Sequence, residues 1–379
     1  MSVPPRLVPS LCSTALGFAA LCTPNFATAQ IEARQIAAEA LVEPAQTVAC
    51  TLTDGSDAQC LEVTVKYVPD TLEVGPFCPA TLDDVGGIWD WDGEAAGLYR
   101  IDGDFLRMLS DLGYTFYDDA GEVAVFDIRT EGPTSDHDCI NASYDTSVEM
   151  TMLIPMTPVM ADSATDLGTV AKVGLSLNGV PIFADAPSVL DRNHMPALDV
   201  CAGHVDPGGW YHYHGTATDM ETVYGAADMQ LSCANAIQDA KAQFGYAFDG
   251  HAIMGSLEAD GSVPRGLDDC GGHMHGDTYH YHASAEFPNL PTCLVGEQAV
   301  DNFSTTAAQG IGSARGDTGP PSEGRPDFSA IAQRLGVEES ALANAIEAAG
   351  GRDADLGAVA ATLGVDENAL RAALPGPDR

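Results

Sequence analysis

A mainly β fold is what this 379-residue sequence predicts: a β-rich body with an internal pseudo-twofold duplication, followed by a small C-terminal all-α module of helical hairpins. Three observations predict it. Several segments alternate apolar and polar residues and are rich in β-branched side chains. A unit of about forty residues occurs twice and ends each time in Tyr-His-Tyr-His. Near the C-terminus a second repeat has the spacing of amphipathic helices.

Taken in order, residues 1–29 have the form of a secretory signal. Arg6 is the only charge before Glu32, Leu7 to Leu21 is mostly apolar, and Ala27-Thr28-Ala29 supplies the small-x-small pattern of a cleavage site before Gln30. Cys22 follows Leu21, not the small residue that a lipoprotein site needs. No later segment approaches a membrane-spanning apolar run, so no stable membrane insertion is expected and the chain reads as periplasmic or secreted.

Residues 30–147 form an N-terminal β-rich region. An Ala/Glu-rich stretch from Gln30 to Glu43 predicts a short helix interrupted by Pro44. Leu61 to Val68, Glu122 to Ile128 and Val148 to Ile154 predict strands, and Phe105 to Leu112 a helix. The acidic turns Asp90 to Glu94 and Asp102 to Asp104 are weak calcium candidates, since neither completes the twelve-residue loop of a calcium-binding hand. Residues 148–303 hold the duplicated unit. Residues 304–326, rich in Gly, Ser, Thr and Pro, read as a flexible linker.

From 327 to 379 the helical repeat follows. Phe328, Ile331, Leu335, Gly336 and Val337 return 28 residues later (356 − 328 = 28) as Leu356, Val359, Leu363, Gly364 and Val365. Asp327 or Asp355 caps a first helix and Gly336 or Gly364 ends it, which predicts two helical hairpins. The repeat has no catalytic constellation, so a protein partner or self-association is its expected role.

Sixteen Lys+Arg stand against 55 Asp+Glu, a formal net charge of −39. Such a balance excludes nucleic acid and anionic membrane surfaces as natural partners, and suits cation binding or a saline medium.

The duplication reaches well beyond the final word. Gly174, Asn178, Gly179 and Ile182 match Gly245, Asp249, Gly250 and Ile253 at an offset of 71 (245 − 174); Leu198, Asp199, Cys201, Gly203 and His204 match Leu267, Asp268, Cys270, Gly272 and His273 at 69 (267 − 198). Tyr211 to His214 match Tyr279 to His282 at 68 (279 − 211). On a strand, His212 and His214 project to one face and Tyr211 and Tyr213 to the other; the same holds for His280 and His282 against Tyr279 and Tyr281. The phenol rings suit a core, while paired imidazoles suit a metal ion. Nine of the ten histidines lie between His194 and His282. With His204, His273 and His251 nearby, the expected ligands are His212, His214, His280, His282, His204, His273 and His251, on one shared site or two equivalent ones. Asp199 and Asp268 are second-sphere candidates beside the four tyrosines, and Asp199, Asp268 or Asp277 could orient a ligand or act as a base. The competing reading makes the histidines hydrogen-bonded structural residues.

Removal of the signal leaves eight cysteines, an even number in an oxidising compartment. Their expected pairs are Cys201 with Cys233, Cys270 with Cys293, Cys50 with Cys60 and Cys78 with Cys139. Two alternatives stand beside them: a cross-link from Cys201 to Cys270, and Cys201 and Cys270 as thiolate ligands in C-x-x-H pairs.

The G-x-x-x-[ND]-G-x-x-I turn, the L-D-x-C-x-G-H segment and the closing Y-H-Y-H together resemble the YHYH-domain family of exported proteins. The resemblance covers roughly Val148 to Leu294, and the second copy has the closer shape. It implies export and a metal site, and carries no reaction with it.

Met195, Met254 and Met274 near the histidines place copper ahead of zinc, since thioether with imidazole suits copper. Three functions follow: an exported metal-binding protein, a secreted zinc hydrolase or copper oxidoreductase, and a structural or interaction module with core histidines. Nucleophile-elbow, P-loop, dinucleotide and H-E-x-x-H signatures are absent, which leaves catalysis an open question.

Overall fold

The computed structural model describes residues 31–167, 171–184, 186, 188–216, 233, 239–284 and 289–313, and, near the C-terminus, 334, 335, 337, 342, 345, 356–365, 370 and 371. The expected signal segment lies outside these residues.

The N-terminal strands are β1 (Gln46–Thr51), β2 (Asp57–Lys66), β3 (Ile88–Trp91) and β4 (Gly97–Arg100). Helix α1 (Gly103–Asp111) precedes β5 (Val125–Asp127), β6 (Cys139–Asn141), β7 (Glu149–Pro155) and β8 (Met160–Asp166). Next come β9 (Lys172–Ser176), β10 (Pro181–Phe183), the short helix α2 (Val189–Arg192), β11 (Gly203–Val205) and β12 (Tyr211–Tyr213). Then follow β13 (Gln243–Ala247), β14 (Ala252–Met254), β15 (Gly272–His275), β16 (Thr278–His282), β17 (Cys293–Gly296) and β18 (Phe303–Thr305). The mainly β expectation is borne out, and α3 (Leu356–Leu363) belongs to a small C-terminal helical region. There Leu342, Ala345, Val359, Ala360 and Leu370 bury one another; the remainder of the two expected hairpins falls outside the described residues.

Two segments depart from expectation. The stretch from Gln30 to Glu43 forms two short 3-10 turns, Ala33–Gln35 and Ala38–Ala40, in place of a helix. Tertiary contacts override its Ala-rich propensity: Ile31 and Ile36 are buried in the core, and the Ala37 N–H donates to the Leu177 carbonyl instead of to a helical neighbour. In the expected linker, the described residues up to Ser313 are packed. Ala307 and Ser313 are buried, Thr305 donates to the Gly312 carbonyl, and the Gln309 amide reaches the Pro207 carbonyl at 3.0 Å. The acidic turn at Asp102 is a helix cap, its carboxylate accepting from the backbone N–H of Asp104 and Phe105 at 3.0 Å.

A four-stranded sheet has the order β1-β2-β7-β18, and an eight-stranded sheet the order β11-β12-β10-β9-β13-β14-β16-β15. Strands from both sides of residue 148 therefore share a sheet, with β2 and β7 paired from Cys60–Pro155 to Lys66–Glu149. Val63 and Val65 of the first sheet and Leu175, Tyr213 and Tyr281 of the second belong to one apolar core.

The eight-stranded sheet reads the same from either end. β9 and β10 form an antiparallel hairpin whose second strand runs parallel to β12, and β13 and β14 do the same with β16. The halves join where β9 meets β13, pairing Leu175 with Tyr246 and Gly174 with Ala247. Glycine is required at that seam: a Cβ on Gly174 would lie 2.0 Å from the Tyr246 carbonyl oxygen, and one on Gly245 would lie 2.5 Å from that of Leu175. The Asn178-Gly179 and Asp249-Gly250 corners close their hairpins with φ of 84° at both glycines.

All four expected disulfides are present: Cys50–Cys60, Cys78–Cys139, Cys201–Cys233 and Cys270–Cys293. Four such bonds fit an oxidising compartment, and they withdraw Cys201 and Cys270 from ligation. The Cys270–Cys293 bond closes a sequence separation of 23. Replacing both residues with serine is expected to cost about 3 kcal/mol by loop-closure entropy, read as a lower midpoint in denaturant.

Candidate metal centre

Each half of the eight-stranded sheet gathers three histidines by register alone. In the β11–β12 hairpin His204 lies directly opposite His212, and His214 follows two residues on, projecting to the same face. In the β15–β16 hairpin His273 lies opposite His280, and His282 follows in the same way. One pair across the strands and one pair along a strand bring three imidazoles together.

In the first triad the Nε2 atoms of His214 and His204 are 3.1 Å apart, and those of His214 and His212 are 3.0 Å apart. In the second, His280 Nε2 lies 3.1 Å from that of His273 and 3.0 Å from that of His282. The opposite nitrogens explain the tautomers. His204 Nδ1 faces the Pro196 carbonyl at 3.2 Å and His214 Nδ1 faces that of Ala184. His273 Nδ1 faces the Arg265 carbonyl at 3.0 Å and His282 Nδ1 that of Gly255 at 2.7 Å. A carbonyl only accepts, so these Nδ1 atoms carry the protons and their Nε2 atoms present lone pairs. Burial keeps the rings neutral: it lowers His204 to about 4, drives His212 and His214 well below the usual range, and, helped by its histidine neighbours, lowers His280 to about 4.

The tyrosines take the other face. Tyr211 donates its hydroxyl to Asp199 at 2.8 Å, and Tyr279 to Asp268 at 2.8 Å. Asp199 also accepts from the N–H groups of Gly75, Cys201 and Gly203; burial raises its carboxyl to about 6 while these donors pull it down. Asp268 accepts likewise from Cys270 and Gly272. Tyr213 accepts from the Asn178 amide at 2.9 Å, whereas Tyr281 donates to Asp249 at 2.6 Å. Asp199 and Asp268 therefore hold the strands from behind and do not reach the imidazoles' convergent side.

The triads are separate. Between β12 and β16 the sheet order places β10, β9, β13 and β14, so five inter-strand steps of ~4.8 Å put the clusters ~24 Å apart. His251, expected among the ligands, joins neither: its Nδ1 faces the Tyr279 carbonyl at 3.2 Å, and its ring packs against Tyr279 and Tyr281 on the tyrosine side of β16. His194 lies with Asp138 and Phe126, and His137 with Tyr114 and Phe116. Met195 fills an apolar cluster with Trp89 and Phe105. Met274 alternates to the face opposite His273, where it pairs with Tyr279, while Met254 is in register with His282.

Glu258 is the residue that sequence reasoning missed. Its Oε1 lies 3.4 Å from His273 Nε2 and 3.8 Å from His282 Nε2, making a second group of three imidazoles and a carboxylate. The offset of 71 puts Pro187 at the corresponding place (258 − 71 = 187), so the duplication itself offers no signal for it.

Both sets fit a transition-metal ion. Nitrogens bound tetrahedrally at ~2.05 Å would sit ~3.3 Å apart, close to the spacings above. Buried His212 Nδ1 has no hydrogen-bond partner among the described residues, so the one polar contact of that ring found there is at Nε2. Imidazole nitrogen is a borderline donor suited to copper, zinc, nickel or iron.

A family model described as YHYH protein matches residues 151–263. The match takes in Tyr211 to His214 and ends before the second word at Tyr279 to His282. No curated protein and no solved structure matches the chain.

The Asn178/Asp249 difference generates a test. Buried Asp249 accepts from Tyr281 Oη, Gly296 N and His251 N. Asp249→Ala strands these donors and should lower stability by about 1–3 kcal/mol. Asp249→Asn, which restores the side chain of the first copy, should cost less in the same thermal denaturation series.

Proposed function

With a YHYH-family match at residues 151–263 as premise, we propose that the protein is an exported transition-metal binder that holds one ion at each triad, with copper ahead of zinc. One observation carries the reading: in each cluster three imidazoles converge through Nε2, one ring lying 3.0 to 3.1 Å from the other two, and two of the three Nε2 atoms are unprotonated because their ring's Nδ1 faces a carbonyl. Between His204 and His214, where both Nε2 atoms are unprotonated, the lone pairs repel at that spacing, and a shared cation converts the repulsion into ligation. Export is supported by the four disulfides and by the form of residues 1–29. Copper draws support from Met254, whose place beside His282 adds a thioether to the histidine face of the second half.

The chain's own residues divide the work. His204, His212 and His214 would hold one ion, and His273, His280 and His282 with Glu258 the other. Backbone carbonyls fix the protonated nitrogens, and the Tyr211–Asp199 and Tyr279–Asp268 pairs fix the strands. A bound ion supplies Lewis acidity or, as copper, electron transfer.

Glu258 favours a second reading. Three imidazoles with a carboxylate at hand resemble the donor sets of hydrolytic zinc sites, in which such a group serves as ligand or base. The structural reading makes the contacts of His212 and His280 N–H···N hydrogen bonds, but it leaves the His204–His214 pair, with both Nδ1 protons on carbonyls, without a donor.

Tag-free protein purified from the export compartment is expected to contain or bind two equivalents of copper or zinc by elemental analysis. His212→Ala and His280→Ala should each remove one equivalent, and the double variant both. Unchanged stoichiometry in the double variant would refute the assignment.

A further inference from the structure

The two triads share a frame, and what surrounds each of them differs. The first is enclosed. Between β10 and β11, Val189, Met195 and Ala197 are buried in an apolar cluster with Trp89, Phe105 and Leu109, and Ile88 N–H donates to the Leu198 carbonyl at 2.7 Å. The rings of Phe183 and Trp210 lie 4.9 and 5.0 Å from that of His212. His212 and His214 are both buried, and among the described residues no carboxylate joins their cluster.

The corresponding stretch of the second half, between β14 and β15, is a surface loop in which Val263 is 70% exposed. β15 and β11 are both edge strands of the sheet, so the difference lies in what covers them. Glu258 reaches inward from that loop with Oε1 near His273 and His282, while its Oε2 lies 4.0 Å from Nδ1 of His275, whose side chain is 73% exposed. Glu258 thus stands between the buried nitrogens and an imidazole in solvent.

Charge alone would not hold an ion at the first triad, since three neutral imidazoles leave its charge uncompensated among buried groups; retention there rests on enclosure, with His212 and His214 buried and Phe183 and Trp210 packed against His212. At the second triad a carboxylate cancels one unit of the charge, and Glu258, its side chain 21% exposed on a surface loop, can turn toward solvent.

We propose that the second triad is the exchange site, taking up and releasing a divalent ion through Glu258 and His275, while the first triad retains its ion. This inference rests on the metal-binding reading above. His275 offers a leaving ion a nitrogen donor before water completes its shell, and Glu258 can follow the ion from one donor set to the other.

The test uses the full chain loaded with zinc as probe ion, mixed with excess 4-(2-pyridylazo)resorcinol, with transfer followed by absorbance. Release should occur in two phases of one equivalent each. His280→Ala should remove only the fast phase, and its surviving slow phase reports an intact fold. His275→Ala should keep the stoichiometry and slow the fast phase by about tenfold, the scale on which residues around a metal site act. A single phase for both ions, a fast phase that survives His280→Ala, or a fast rate unchanged in His275→Ala would overturn the proposal. Absence of any bound zinc or copper would overturn it together with the metal-binding reading, whereas two ions released in one phase would overturn it alone.

Discussion

Each triad depends on one constraint: two imidazole Nε2 atoms are held near 3 Å from that of a third ring, while backbone carbonyls hold the Nδ1 protons of two of the three rings on the far side. A protein interior does not collect lone pairs without opposition, and the opposing structure is visible behind them. His204–His212 and His273–His280 are locked by strand register, which cannot slip by one residue without exchanging the histidine and tyrosine faces. The tyrosines on the reverse are buried and tied to Asp199 and Asp268, so a slip would also break those hydrogen bonds. The Cys201–Cys233 and Cys270–Cys293 bonds hold the loop that precedes each hairpin. The tyrosines of the four-letter word are therefore the mechanical half of a device whose histidines are the chemical half.

What was legible in the sequence was whatever depends on local alternation and on the comparison of one half with the other. The opposite faces of Tyr211 and His212 follow from the period of two on a strand, and the matched positions of Cys201 and Cys270 pointed to equivalent disulfides. The glycines at 174 and 245 stood out as a repeat, although their reason, close crossing of β9 and β13, needed the fold. Whether four histidines meet on one ion or two was not legible, because strand order is a long-range property: β9 and β13 pair at the centre, and that choice sends the two words toward opposite edges. His251 lies outside both clusters, since proximity in sequence to the second copy says nothing about which side of β16 a turn residue covers. Glu258 was invisible for a related reason, lying in a loop of the half without a counterpart at Pro187. The Ala-rich stretch from Gln30 misled in the opposite sense, with helix propensity outweighed by the burial of Ile31 and Ile36.

The acidity of the chain bears on selectivity more than on affinity. A net charge of −39 raises the concentration of every cation near the surface, including calcium and magnesium, which far exceed transition metals in most aqueous surroundings. Those hard ions prefer oxygen, and among the described residues the two clusters admit oxygen sparingly: the first group consists of nitrogen donors alone, and the second includes only Glu258. Buried carboxylates elsewhere are occupied, Asp199 by four donors, Asp138 by the Thr134 and Ser135 loop, and Asp249 by Tyr281 and Gly296. On the proposed reading the surface would gather cations without distinction and the imidazoles would sort them. Glu258 would then make the second cluster the reversible one, since it lies beside the exposed His275 and an oxygen ligand that water can replace eases exchange at a site otherwise built of nitrogen donors.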